Sequence, residues 1–283
     1  MRREWRIAGA GAAAIGFGVV ATAAAKDVPA QAHGGAMETC EGARPVLSVG
    51  DFDGSGVVDG ADVEELAKRI MRRDDAAFFD VEGDGDVDSG DLLKVARSVG
   101  AKSTPLDQEI AAVFRVTERY RDIHNAIEDG FIPVTTSFQG HGVHWGRNEQ
   151  IDTVFSLTRP EGLNYSEDGK LLAVFWAIKP DPRSPELPPA GFTGEEMWHS
   201  HQKACFFGYN EKNPSYDFRM LNFQECVPEA ECPEGSYLEK FYMVHLWLFE
   251  HDPCGAFAGT NPRIRQGVPI ETALARCPAE HAH

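Results

Sequence analysis

The spacing of apolar residues changes at Gly130, and the change divides the chain. Before it, apolar residues recur every three or four positions. Val63, Leu66, Ala67 and Ile70 share one helical face, as do Leu92, Val95, Ala96 and Val99. A longer face follows in Leu106, Ile110, Val113, Phe114, Tyr120, Ile123 and Ile127. It opens with Thr104 as N-cap and Pro105 at the first helical position, and Gly130 closes it. Residues 101–103 read as a short linker ahead of this helix. After Gly130 the apolar residues form short runs broken by Gly, Pro and Asp. This spacing predicts strands at 131–135, 153–157, 171–178, 197–207, 217–223 and 237–249. Residues 179–189 carry five prolines and read as an ordered or lid-like loop. The chain is therefore expected to be α+β, with a small helical unit, one further helix and a mainly antiparallel β domain built as a barrel or sandwich.

The start of the chain differs in kind. Arg2, Arg3 and Arg6 precede an apolar run from residue 7 to 25, with Ala-x-Ala endings at 23–25 and 30–32. A basic start, an apolar stretch and a small-residue ending make an export signal. Residues 1–32 are read as signal peptide and processing region, and residues 33–48 as an N-terminal linker. Export places the protein in the periplasm, on the cell surface or outside the cell. A membrane is involved only through an uncleaved signal.

Just ahead of each short helix stands a repeated acidic pattern. Asp51, Asp53, Ser55, Val57, Asp59 and Asp62 occupy positions 1, 3, 5, 7, 9 and 12 of a loop. Asp80, Glu82, Asp84, Asp86, Asp88 and Asp91 occupy the same positions of a second loop. Gly56 and Gly85 fall at position 6, where the chain must turn sharply. Val58 and Val87, at position 8, are expected to face each other across a short pairing between the loops. This spacing suits calcium, a hard cation that takes six to eight oxygens, with Val57 and Asp86 contributing backbone carbonyls. Two in-phase copies imply two calcium ions. Both copies carry Asp where the common intracellular loop carries Glu at position 12. In this, residues 49–100 resemble dockerin, the calcium-loop pair that anchors secreted polysaccharide-degrading enzymes. The resemblance implies a cohesin-like or other cell-surface partner. Positions 10 and 11, which help choose the cohesin in dockerins, are Gly60-Ala61 and Ser89-Gly90 here.

Charge and cysteine agree with export. The formal net charge is −17, and no basic stripe exists to hold phosphates, which excludes nucleic acid as a partner. Ten of the acids sit in the two loops. The six cysteines, Cys40, Cys205, Cys226, Cys232, Cys254 and Cys277, make an even count that suggests disulfides. Cys226 and Cys232 are close enough in sequence for a local bridge, and a Cys40–Cys277 bond would tie the ends together. Cys205 also stands as a candidate thiolate ligand.

Six of the ten histidines fall in three clusters of the β domain: His141 with His144, His199 with His201, and His245 with His251. His199 and His201 are two apart, so on a strand they point to the same face. Phe241, Met243, His245, Trp247 and Phe249 also share a face by alternation, which carries His245 into an aromatic interior. The glycines around His141 and His144 suggest a turn that brings one of them inward. The candidate transition-metal ligands are His199, His201, His245, His144 and His251. Neutral imidazoles suit copper or zinc. His-x-His in a β domain is similar to cupins in architecture. Here, however, Gly194 precedes His199 by one residue too few for the cupin pattern, and the following Glu is missing.

Residues 115–265 resemble a group of uncharacterised exported bacterial proteins. The resemblance rests on Gly142-Val-His144-Trp145, Arg159-Pro-Glu161-Gly-Leu-Asn-Tyr165 and the segment from His245 to Pro262. The organisation expected is a calcium-binding pair at 49–100 followed by a helix plus β-rich metal-binding domain at 101–283. Two functions compete. One is an exported calcium- and metal-binding protein. The other is a copper- or zinc-dependent extracellular enzyme acting on carbohydrate. Esterase, phosphate-loop and metalloprotease signatures are absent from the sequence.

Overall fold

The computed structural model describes residues 49–147, 151–184, 189–193, 198–207, 222–224, 228–232 and 237–269. The expected signal and linker, Cys40, Cys226 and Cys277 lie outside them. In the first half, the acidic loops start the helices. Asp59 caps α1 (Gly60–Met71) and Asp62 completes a capping box; Asp88 and Asp91 do the same for α2 (Ser89–Ser98). Loop positions 9 and 12 are thus fixed by helix-start chemistry, each cap contributing about 1 kcal/mol.

Val58 does not pair with Val87. Its N–H donates to Ala101 O at 2.9 Å, its carbonyl accepts from Gly100 N at 2.8 Å, and Val57 bridges Lys102. Residues 101–103 are therefore part of the first loop's structure rather than a free linker.

The helix that follows is split. Thr104 and Asp107 form a capping box on α3 (Pro105–Thr117), which passes into a 3-10 turn, Glu118–Arg121. Asp122 then starts α4 (Ile123–Glu128) by accepting from His124 N, a local bond that competes with helix continuation.

Seven antiparallel strands form one sheet in the order β1-β2-β3-β4-β7-β5-β6. They are β1 (Ile132–Phe138), β2 (Gly142–Gly146), β3 (Gly162–Tyr165), β4 (Leu171–Ile178), β5 (His199–Phe207), β6 (Asn222–Gln224) and β7 (Tyr237–Leu246). The spacing did not predict β2 or β3, and residues 153–157 are not a strand. There Asp152 accepts from Val154 N, and Phe155 inserts its ring among Trp176, Phe192 and Trp198.

One hydrophobic core joins the helical half to one face of the sheet. It runs from Phe52, Leu66 and Val95 through Phe78, Phe79 and Phe114 to Trp176, Leu246 and Leu248. Phe114 on α3 stacks on Phe78 at 4.3 Å and on Phe249, just beyond β7, at 5.4 Å. The calcium-loop unit is thereby packed against the β domain.

The sheet curls into a half-barrel, and its edge strands β1 and β6 come into contact. The curl follows from which side chains meet. β2 and β7 are separated by β3 and β4, about 14 Å on a flat sheet. Nevertheless the rings of His144 on β2 and His245 on β7 lie 5.5 Å apart. The face opposite the main core is therefore the concave one.

Candidate metal centres

In the first loop, Asp51 Oδ1 accepts from Ser55 N at 3.0 Å and Oδ2 from Gly56 N at 2.8 Å. Gly56 has φ +97°, the left-handed conformation that the turn requires. Asp53 accepts from Ser55 N, and Ser55 Oγ donates to the Val57 carbonyl at 3.0 Å. Asp62 reaches back to Phe52 N and Asp59 N, both at 2.8 Å. Oxygens of Asp51, Asp53 and Asp62 consequently lie within 4.8 Å of one another. Burial first, and then the charge of Asp53, push the Asp62 carboxyl above its usual range. A cation in the loop relieves that repulsion.

The second loop repeats the frame. Asp80 Oδ1 accepts from Gly83 N at 2.6 Å and Asp84 N at 3.2 Å, and Oδ2 accepts from Gly85 N at 2.8 Å. Asp91 accepts from Glu82 N and Asp88 N, while Asp86 N donates to Asp84. Burial again raises Asp91, with Asp80 adding to it. The oxygens and φ values of both loops fit the calcium pattern. The Glu82 carboxylate lies over Gly90, where an added Cβ would meet Oε1 at 2.1 Å.

The second cluster is built of histidines on the concave face. His199 pairs with Met243 and His201 with Phe241. His245 pairs with Phe175, and His144 with Asn164, which itself pairs with Ala173. Residues directly paired across strands share a face, so His144, His199, His201 and His245 look into one space. His199 and His201 have ring centroids 4.9 Å apart, and His199 stacks on His245 at 5.6 Å. The closest approach is His144 Nε2 to His245 Nε2, 3.2 Å. Among the described residues, no third ring nitrogen lies within 4.8 Å of both.

Two points differ from the sequence reading. His141 joins the cluster, 5.5 Å from His144 and 5.2 Å from His245 between centroids. An i, i+3 spacing does not share a strand face, so alternation hides it. It reaches the cluster because the turn before β2 bends at Gly142, where φ is +71° and an added Cβ would sit 2.4 Å from Tyr165 O. His251 is not in the cluster. Its Nδ1 lies 2.9 Å from Asp80 Oδ2 in the second acidic loop, because the chain leaves the sheet after Leu246 and crosses to the helical side.

Burial is the first cause that holds His141, His144, His199 and His245 below the usual imidazole range, with neighbouring histidines adding to it; His141 falls to about 4. The rings are neutral and carry lone pairs. The His141 Nδ1 faces the Gln139 carbonyl at 3.3 Å and the His144 Nδ1 faces Thr135 Oγ1 at 3.3 Å. Such partners fix the orientation of a metal-binding imidazole. The His245 Nδ1 is buried without a hydrogen-bond partner.

Cys205 is not a thiolate ligand, because it is bonded to Cys232. That pairing also replaces the local Cys226–Cys232 bridge expected from sequence. β5 and the 3-10 turn Glu229–Glu231 bring Cys205 and Cys232 together, with their Cα atoms 5.6 Å apart. Cys254 is likewise disulfide-bonded, and no described cysteine is free. Among the described residues no helix is long and apolar enough to cross a membrane.

Residues 49–100 match the family model of the dockerin type I domain. This part of the chain is a dockerin-like, calcium-binding module. No curated protein and no solved structure matches the chain.

Proposed function

We propose that this is an exported protein whose dockerin-like module binds two calcium ions and whose concave β face binds one transition-metal ion. One observation carries the second half of this reading: the two Nε2 atoms of His144 and His245, 3.2 Å apart among five buried histidines. Two nitrogens each about 2.05 Å from a tetrahedral ion and about 103° apart would be separated by this distance. His141, His199 and His201 are the neighbouring rings, and one of them would have to close on this pair to supply a third nitrogen. Neutral imidazoles suit zinc or copper. Lewis-acid or redox chemistry is what such an ion supplies when bound, and these residues would hold and orient it. Oxidised cysteines on a chain with an export signal support a location outside the cytoplasm. A cohesin-like or cell-surface partner is the class that goes with the module.

The test is elemental analysis of the natively purified protein, followed by titration of the stripped protein with zinc and copper. One equivalent of transition metal is expected, lost in the double variant His144→Ala with His245→Ala. Full occupancy in that variant, or no uptake by the wild type, refutes the histidine site.

A further inference from the structure

The chain after β7 does not run free; it crosses the second acidic loop. Leu248 O accepts from Phe78 N at 3.0 Å, and two residues before loop position 1 the chain is thereby pinned to the β domain. Three residues beyond Leu248, His251 places Nδ1 at 2.9 Å from Asp80 Oδ2. Asp80 is the position-1 carboxylate and is 2% exposed. A carboxylate accepts only, so the His251 ring nitrogen is the donor.

The two loops use the same device. In loop 1, Asp51 Oδ2 accepts from Gly56 N within the loop and from Ser103 Oγ at 2.5 Å outside it. In loop 2, Asp80 Oδ2 accepts from Gly85 N within the loop and from His251 outside it. A carboxylate that gives one oxygen to an ion needs donors on the other to keep its orientation. Loop 1 takes its outside donor from the adjoining chain, loop 2 from the far end of the β domain.

The donor is itself held. The His251 carbonyl accepts from Asn261 Nδ2 at 3.1 Å, and Asn261 N donates to Gly140 O at 2.9 Å, next to His141. Over the loop, a Cβ at Gly85 would meet Arg263 Nη1 at 3.1 Å and the His251 ring at 3.6 Å.

We propose that His251 is a positioning residue for calcium loop 2. By donating to Asp80 Oδ2 it orients that ligand, and the second calcium ion clasps the module to the β domain. This rests on the reading of residues 49–100 as a two-calcium module.

The experiment is calcium titration calorimetry on the full chain. Asp51→Ala silences loop 1, so that loop 2 titrates alone. In that background His251→Ala and His251→Phe should each weaken calcium binding about tenfold. His251→Asn, whose Nδ2 stands in for the ring Nδ1, should restore most of it. The Phe variant keeps the ring volume, so it separates the lost bond from lost packing and serves if the Ala variant does not fold. In the Asp80→Ala background, where loop 1 titrates alone, the His251 variants should change nothing. In the otherwise wild-type chain, calcium should slow hydrogen exchange of residues 245–251, and His251→Phe should abolish that protection. Unchanged loop 2 affinity in both variants overturns the proposal, as does an equal loss in loop 1. Absence of calcium binding by the wild type overturns the two-calcium reading itself.

Discussion

Lowering the pH of the calcium-saturated, transition-metal-free protein from 7 to 5 should destabilise it, and the histidine face sets the steepness. His141, His144, His199 and His245 are neutral in the fold because burial keeps the proton off. Unfolding returns each to an imidazole value of about 6.5. Below that, the unfolded chain binds more protons than the folded one, so stability falls as the pH drops. For His141 the loss continues down to about 4. Glu161 works in the opposite direction. Burial raises its carboxyl from 4.5 to about 8, so the fold holds a proton there that the unfolded chain releases, and its contribution grows as the pH falls.

The net is three protons taken up on unfolding. At about 1.4 kcal/mol per proton and pH unit, stability should drop by about 4 kcal/mol per unit, and by at most about 6 kcal/mol between pH 6.5 and 5. That is a large share of the roughly 5–15 kcal/mol available to a domain. Urea denaturation followed by near-ultraviolet circular dichroism at pH 7, 6 and 5 measures it. His141→Asn should lower the slope by about one proton. Stability that is flat or rising from pH 7 to 5 would refute the assignment of four neutral, buried histidines. Saturating zinc should raise stability across this range without flattening the slope, because the folded rings carry no proton for the metal to displace.

Glu161→Gln should stabilise the protein by roughly 3 kcal/mol at pH 7 and hardly at all at pH 4.5, since only the ionised form is penalised; equal effects at both pH values would show that packing, not charge, is at stake. Phe114→Ala should cost about 3–5 kcal/mol. Because Phe114 stacks on both Phe78 and Phe249, the calcium dependence of the melting of the β domain should weaken with it; two separate, unshifted transitions in the wild type would show that the halves do not share a core.

The calcium module was legible because its information is local. Each loop is one contiguous stretch, and the ligand spacing survives whatever the rest of the chain does. The strand Leu171–Ile178 was legible for a similar reason, as an eight-residue run buried on both faces. What failed depends on distant partners. β2 and β3 are short and Gly-containing, and pairing, not propensity, makes them strands: Gly146 lies opposite Gly162. The Cys205–Cys232 bond needs the pairing of β5 with β7 to bring its ends together. Period two put His199, His201 and His245 on one face, but His141 enters from a turn, where no period applies. His251 shares a sequence cluster with His245, yet its partner is Asp80.

The separation of those two histidines follows from where the strand ends. Along β7, Phe241, Met243 and His245 point to the concave face, while Tyr242, Val244 and Leu246 point to the core. Had the strand run on to Phe249, as its alternation suggested, His251 would have followed His245 onto the concave face. Instead Trp247 N donates to Ala256 O, and Phe249 N and Glu250 N both donate to Leu172 O. These bonds turn the backbone off the ladder and lay Phe249 on Phe114. Five residues separate a ring in the histidine cluster from a ring on a calcium-loop carboxylate. A module tethered by a flexible linker would share neither a core nor a hydrogen bond with the body it anchors. This one shares both, so calcium in the second loop and the order of the histidine face should rise and fall together.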